Sequence, residues 1–190
     1  MNALIGELAG AVTLLAFVPY VVSVLQRKTK PERATWFIWT LVGLTLFLSY
    51  HSSGAVDTVW SAASYFIGPL CIAILSIKYG VGGWTTLDIV CFIGAGISFL
   101  FWALSDSPVS ALVMSIFIDA LGLIPTFVKT MKDPKSESRL SWSMSFFGNT
   151  ANLLLAIGSR TFAIIIFPAY MVINTGSILL LTLRSRFSSK

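Results

Sequence analysis

Val18-Pro19-Tyr20 closes one apolar run, Gln26-Arg27-Lys28-Thr29-Lys30-Pro31-Glu32-Arg33 follows as a basic loop, and Thr35-Trp36-Phe37 opens the next apolar run. The same order returns 106 residues later, from Ile124-Pro125-Thr126 to Ser141-Trp142-Ser143. Pro19 falls on Pro125, Arg33 on Arg139, Thr35 on Ser141 and Trp36 on Trp142 with no gap. The register holds from residues 17–78 onto 123–184 without insertion and sets Lys78 on Arg184. Ten of the sixty-two pairs are identical, a level that apolar helices reach by chance. What marks a repeat is the placement of its proline, arginine, tryptophan and terminal basic residue.

Composition sets the class. Of the 190 residues 56% are hydrophobic and 11% charged, with a mean hydropathy of +0.84. A soluble domain carries about 25% charged residues, and a chain with this few could not cover its surface. A membrane protein is expected. The net charge of +5 sits in short loops and at the C-terminus, where it sets orientation rather than binding nucleic acid. Cys71 and Cys91 lie inside apolar runs, so no disulfide framework is expected. His51 is the single histidine, and no metal or cofactor site is expected. The first apolar run lacks a basic leader and a small-residue cleavage site, and reads as a retained helix.

A spanning helix needs about 20 mostly apolar residues. Seven runs qualify: residues 3–25, 35–51, 56–78, 86–104, 108–129, 141–158 and 161–183. Backbone groups cannot stay unpaired in lipid, and no alternating pattern predicts a barrel, so the spans are expected to be helices. Arg27, Lys28, Lys30 and Arg33, then Lys78, then Lys129, Lys132, Lys135 and Arg139, then Arg184, Arg186 and Lys190 fall on one side. The positive-inside rule puts the N-terminus outside and the C-terminus in the cytoplasm. A repeat of three helices crosses the membrane an odd number of times. Two such repeats run parallel only if one more helix reverses the chain between them. The fold expected is therefore all-α and integral to the membrane: seven transmembrane helices as 3+1+3, with residues 1–82 and 107–190 as the bundles and 83–106 as the linker.

On these residues the chain resembles the PQ-loop/MtN3 superfamily of sugar-transporting SWEETs, cystinosin-like transporters and KDEL receptors. The local carriers are Pro19 with Arg27-Lys28-Thr29 and Ala34-Thr35-Trp36, and Pro125 with Lys132, Lys135 and Leu140-Ser141-Trp142. Tyr20 and Thr126 stand where the name-giving glutamine would follow each proline. The resemblance implies a small-solute transporter of a bacterial plasma membrane that works by alternating access, for a sugar-like or other small polar metabolite. A non-transporting receptor or sorting protein of the same fold is the alternative. It also implies a substrate asparagine on the third helix of each repeat: Asn174 fits in the second, while Gly68 holds that place in the first.

The residues themselves point to a site. Asp119 is the only acid near the middle of a span, where a charge costs about 2.5–3.5 kcal/mol. It reads as a substrate-binding group or a proton-coupling site, against a structural hydrogen bond to a neighbouring helix. Ser115, Asp119, Gly122 and Thr126 form one helical stripe; Ser145, Asn149 and Asn152 another; Tyr170, Asn174 and Ser177 a third. The expected substrate-binding set is Asn174, Asn149, Asn152, Asp119, Trp39 and Tyr170, with Trp39 as the aromatic wall. The repeat-matched Pro19 and Pro125 are expected as hinges. Trp36, Trp60, Trp84 and Trp142 lie near span ends and read as interfacial anchors. No carboxylate pair, nucleophile motif or phosphate loop predicts an enzyme.

Overall fold

The computed structural model describes residues 14–52, 59–82, 84–104, 108–157 and 162–184, without the side chains of some helix residues such as Asn152. Among them are seven α-helices, a 3-10 turn at Pro134–Ser136, and no strand. The helices are α1 (Val18–Leu25), α2 (Arg33–Ser52), α3 (Val59–Tyr79), α4 (Thr86–Ala103), α5 (Pro108–Lys132), α6 (Arg139–Ile157) and α7 (Phe162–Arg184). The all-helical expectation holds, and helices two to seven keep their expected bounds within a few residues.

Polar side chains set the helix ends. The first N–H groups of a helix have no partner within it. At α2, Glu32 Oε2 accepts from the Thr35 N–H at 3.1 Å. One repeat length on, at α6, Ser138 Oγ accepts from the Ser141 N–H at 3.4 Å. Thr85 and Asp88 exchange side-chain-to-backbone bonds of 3.3 and 2.9 Å and start α4 as a capping box. At the other polarity, the Arg33 guanidinium donates to the carbonyls of Ser76 and Gly80, each at 3.0 Å, and to that of Gly82. Arg139 donates to the Thr182 carbonyl at 2.8 Å. Ser76 and Thr182 are 106 residues apart, as are the two arginines, so the same lock closes α3 and α7.

The main packing pairs are α2 with α3, α6 with α7 and α4 with α5. α5 also packs on α2 and α7, and α1 touches α3 and α6. The loops after α1, α3 and α5 meet at one end: Lys30 N–H donates to the Ser136 carbonyl at 2.8 Å, and Val81 N–H to the Pro31 carbonyl at 2.9 Å. This basic end carries the lysines and arginines that fix the expected orientation.

The distribution of side chains is inverted relative to a soluble core. Among the described residues the buried side chains are more often polar than apolar, and include Thr35, Ser76, Asp119, Thr126, Thr130, Asn174 and Thr182. Leu15, Ile74, Ile93, Phe101, Phe147, Leu154, Ile173 and Leu180 are exposed instead. Large exposed apolar patches mark a surface that something apolar covers. Val113–Lys132 and Ile165–Arg184 are long and apolar enough to cross a membrane.

Two expectations are refined. Pro19 follows a break in the helix rather than lying inside a continuous one, since Leu14 and Leu15 are also helical. The chain turns at Ala16 and Phe17, and α1 begins at Val18 with Pro19 in its first turn. There the missing N–H would have lacked a partner anyway. Pro125 does lie inside its helix. Trp36 and Trp142 are not interfacial anchors, being 4% and 6% exposed. Both are drawn inward by an aromatic cluster. Trp84, 70% exposed, suits the anchor reading, while the side chain of Trp60 lies outside the described residues.

Candidate functional site

Asp119 stands on α5 seven residues before Thr126, about 10 Å along the axis. Two side chains of α7, one turn apart, reach it. Tyr170 donates its hydroxyl hydrogen to Asp119 Oδ2 at 2.7 Å, and Asn174 Nδ2 donates to the same oxygen at 2.8 Å. Asn174 Nδ2 also donates to the Tyr170 hydroxyl at 3.1 Å. The i, i+4 spacing of Tyr170 and Asn174 on one helix face makes this triangle possible. Asn174 is 3% exposed, and its Oδ1 has no hydrogen-bond partner. A buried acceptor left unpaired is costly, and such exceptions call for an explanation.

The fourth member comes from α2. Trp39 Nε1 donates to the Asp119 backbone carbonyl at 3.2 Å. Its indole lies over Gly122, where an added Cβ would stand 3.0 Å from Trp39 and from Ile38. A side chain here would press on both residues, so glycine eases the close approach of α2 to α5. Trp39 also meets Trp36 edge-on at 5.1 Å and Trp142 at 6.3 Å, and Trp36 meets Tyr20 at 4.8 Å. The aromatic ladder runs from the polar triangle toward the basic end.

The structure thus brings together Asp119, Tyr170, Asn174 and Trp39. Asn149 is half-buried on α6 and takes no part in the cluster among the described residues. Asn152 lies on α6 with its side chain outside the described residues, and Thr13, the repeat counterpart of Asp119, lies outside the described residues altogether. At Gly68, the counterpart of Asn174, the Phe17 ring fills the space a side chain would take. One half of the interior is polar and the other is aromatic.

Between this cluster and the basic end the helices are tied shut by a second set of contacts. Thr126 directs both its N–H (3.2 Å) and its hydroxyl (2.9 Å) to Thr35 Oγ1. Thr126 follows Pro125, and a neighbouring threonine is the expected partner for backbone groups freed at a proline. Beyond it, Glu137 is fully buried and collects three donors: the Tyr20 hydroxyl at 3.1 Å, Trp142 Nε1 at 2.8 Å, and the Lys129 ammonium. Lys129 also donates to the Lys30 carbonyl at 2.6 Å. Glu32 lies at the same end. Burial pushes its carboxyl up to about 7, against the Thr35 N–H that pulls it down, and nearby Asp88 adds to the rise.

Sequence reasoning missed this closure. Lys129 reads only as a loop charge and Trp142 as an anchor, and nothing in the sequence singles out Glu137. The available signal was positional. Tyr20 and Thr126 occupy matched places after the two prolines, and each reaches across to the start of the other repeat's second helix.

Comparison of the chain with family models, with curated proteins and with solved structures gives no match.

Proposed function

We propose that the chain is an integral membrane transporter of the PQ-loop/MtN3 type, which moves a small solute by alternating access. Its seven helices cross the bilayer as 3+1+3. Residues 1–82 and 107–190 are parallel three-helix bundles, and 83–106 reverse the chain between them. The basic end faces the cytoplasm.

Several contacts that recur at the repeat spacing support this reading. The Arg33–Ser76 and Arg139–Thr182 locks correspond. So do the Ser76 hydroxyl on the Ala73 carbonyl and the Thr182 hydroxyl on the Leu179 carbonyl. In each bundle the third helix packs on the second and touches the first, and α2–α5 corresponds to α6–α1. The exposed apolar surface supports burial of the whole helical layer in lipid.

The observation that carries the transport reading is the unpaired Asn174 Oδ1 in a buried polar triangle, between a first-repeat tryptophan and a closed cytoplasmic end. A solute bringing a hydrogen-bond donor would satisfy that oxygen. A site at mid-depth, closed on one side by breakable contacts, suits a carrier that opens to alternate sides. Proton coupling through Asp119 is a variant of the same reading.

The test is counterflow in liposomes holding the purified chain, loaded with sugars, amino acids, nucleosides or amines. Saturable exchange of one class is expected, with Asn174→Ala lowering apparent affinity about tenfold. A chain that binds a ligand saturably and moves none is a receptor of this fold, and the transport reading then fails.

A further inference from the structure

We propose that the solute taken by the Asp119 site is an organic monocation: an amine with N–H donors on its charged nitrogen and no acid group. This inference rests on the transport reading and names the substrate class of that same site.

The hydrogen-bond inventory of the site is one-sided. The Tyr170 hydroxyl hydrogen is spent on Asp119 Oδ2. Both hydrogens of Asn174 Nδ2 are spent, on Asp119 Oδ2 and on the Tyr170 oxygen. The Trp39 N–H is spent on the Asp119 carbonyl. What remains is acceptors. Asn174 Oδ1 is buried and unpartnered, and among the described residues both side-chain donors to Asp119 sit on Oδ2 and none on Oδ1. A hydroxylated solute needs donors as well as acceptors from its site. An alkylammonium has donors only, so an acceptor-only pair matches it.

Charge leads to the same class. Among the described residues the donors on the Asp119 carboxylate, Tyr170 and Asn174, are neutral groups. The basic residues of α2, α5 and α7 are Arg33, Lys129, Lys132 and Arg184, all at helix ends. Lys129 is already paired with Glu137. A carboxylate inside a membrane protein without a cationic partner is unfavourable, and a ligand ammonium would supply the partner through charge-assisted bonds. The absence of lysine and arginine at this depth leaves nothing to hold a ligand carboxylate. Zwitterionic amino acids and organic acids are therefore disfavoured.

The test compares four probes on the full chain: phenethylamine, its isostere 2-phenylethanol, phenylalanine and glucose, each titrated by thermal shift and then used in liposome counterflow. The amine is expected to bind at least about tenfold more tightly than the other three, a difference of about 1.4 kcal/mol. Asp119→Asn is expected to lose that preference. A tighter fit for glucose, the alcohol or the zwitterion overturns the inference, as does the absence of any saturable shift with the amine. The wild-type comparison decides the matter even if Asp119→Asn fails to fold. Counterflow separates the two readings. Glucose exchange without amine exchange sinks the cation class and keeps transport; amine binding without exchange sinks transport and keeps the class.

Discussion

Tyr20 donates its hydroxyl hydrogen to Glu137 across 117 residues of chain, at 3.1 Å, and so joins α1 to the loop that leads into α6. Glu137 holds Trp142 and Lys129 on its other sides. Trp142 and, by way of Trp36, Tyr20 both lean on Trp39, which donates to the Asp119 carbonyl. The closed end and the polar triangle therefore share one set of rings. Any rearrangement that frees Glu137 changes the packing of Trp39 over the site.

Glu137→Gln keeps the shape and an acceptor but removes the charge that holds Lys129. The closed state is expected to lose roughly 1–3 kcal/mol, since hydrogen bonds to charged groups are the stronger ones. A cysteine at Thr126 should then react faster with a membrane-impermeant thiol reagent added on the side of the basic end. An unchanged rate would mean that Glu137 does not hold that end shut.

Arg33 and Arg139 each hold a carbonyl of the third helix of their repeat. Arg33 serves several carbonyls at the end of α3, which a planar fork does better than a point charge. Arg33→Lys is expected to lower the melting temperature by several degrees, as the loss of one or two kcal/mol does in a chain this long. Equal melting of Arg33→Lys and wild type would remove the fork from the explanation.

Glu32 gives a pH signature. Its carboxyl is held up at about 7 from an ordinary 4.5, by burial first and by Asp88 among its neighbours, while the Thr35 N–H and Lys129 oppose the rise. Between those values the folded chain keeps a proton that the unfolded chain has released. Stability from this group therefore falls as pH rises through that window, and the loss is complete above it. Glu32→Gln should melt like wild type near pH 4 and about 2–4 °C higher at pH 8. A constant offset across that range would contradict the assignment.

Gly122→Ala places a methyl group 3.0 Å from Trp39 and Ile38. Trp39 must then shift by a few tenths of an ångström, which loosens its bond to the Asp119 carbonyl. A stability loss of roughly 1 kcal/mol is expected, together with weaker ligand binding. Full binding with lowered stability would confine Trp39 to a packing role.

Much of the architecture could be read from residue types alone. Apolar run lengths located helices two to seven, because a long apolar helix is written in hydrophobicity with little interference. The spacing of Arg33 to Arg139 marked the two as a matched pair of orienting charges, while the carbonyl locks they make emerge only in the folded chain. Asp119, Tyr170 and Asn174 were legible because a polar residue at mid-span needs a reason. The closure was not legible. Glu137, Lys129 and Tyr20 are ordinary residues for a loop or helix end, and only the folded chain brings them together. Pro19 was misplaced for a related reason. A proline inside an apolar run looks the same whether it kinks a helix or starts one, and the turn at Phe17 has no marker such as glycine.

Alternating access is tested most directly by locking the contact between Thr35 and Thr126, whose side-chain oxygens stand 2.9 Å apart. Thr35→Cys with Thr126→Cys, in a chain with Cys71 and Cys91 replaced by serine, can be oxidised to a disulfide in liposomes. Counterflow of the transported solute is expected to stop on oxidation and return on reduction, while the oxidised protein still binds the solute from the outer side. Undiminished counterflow through the oxidised protein would contradict the account.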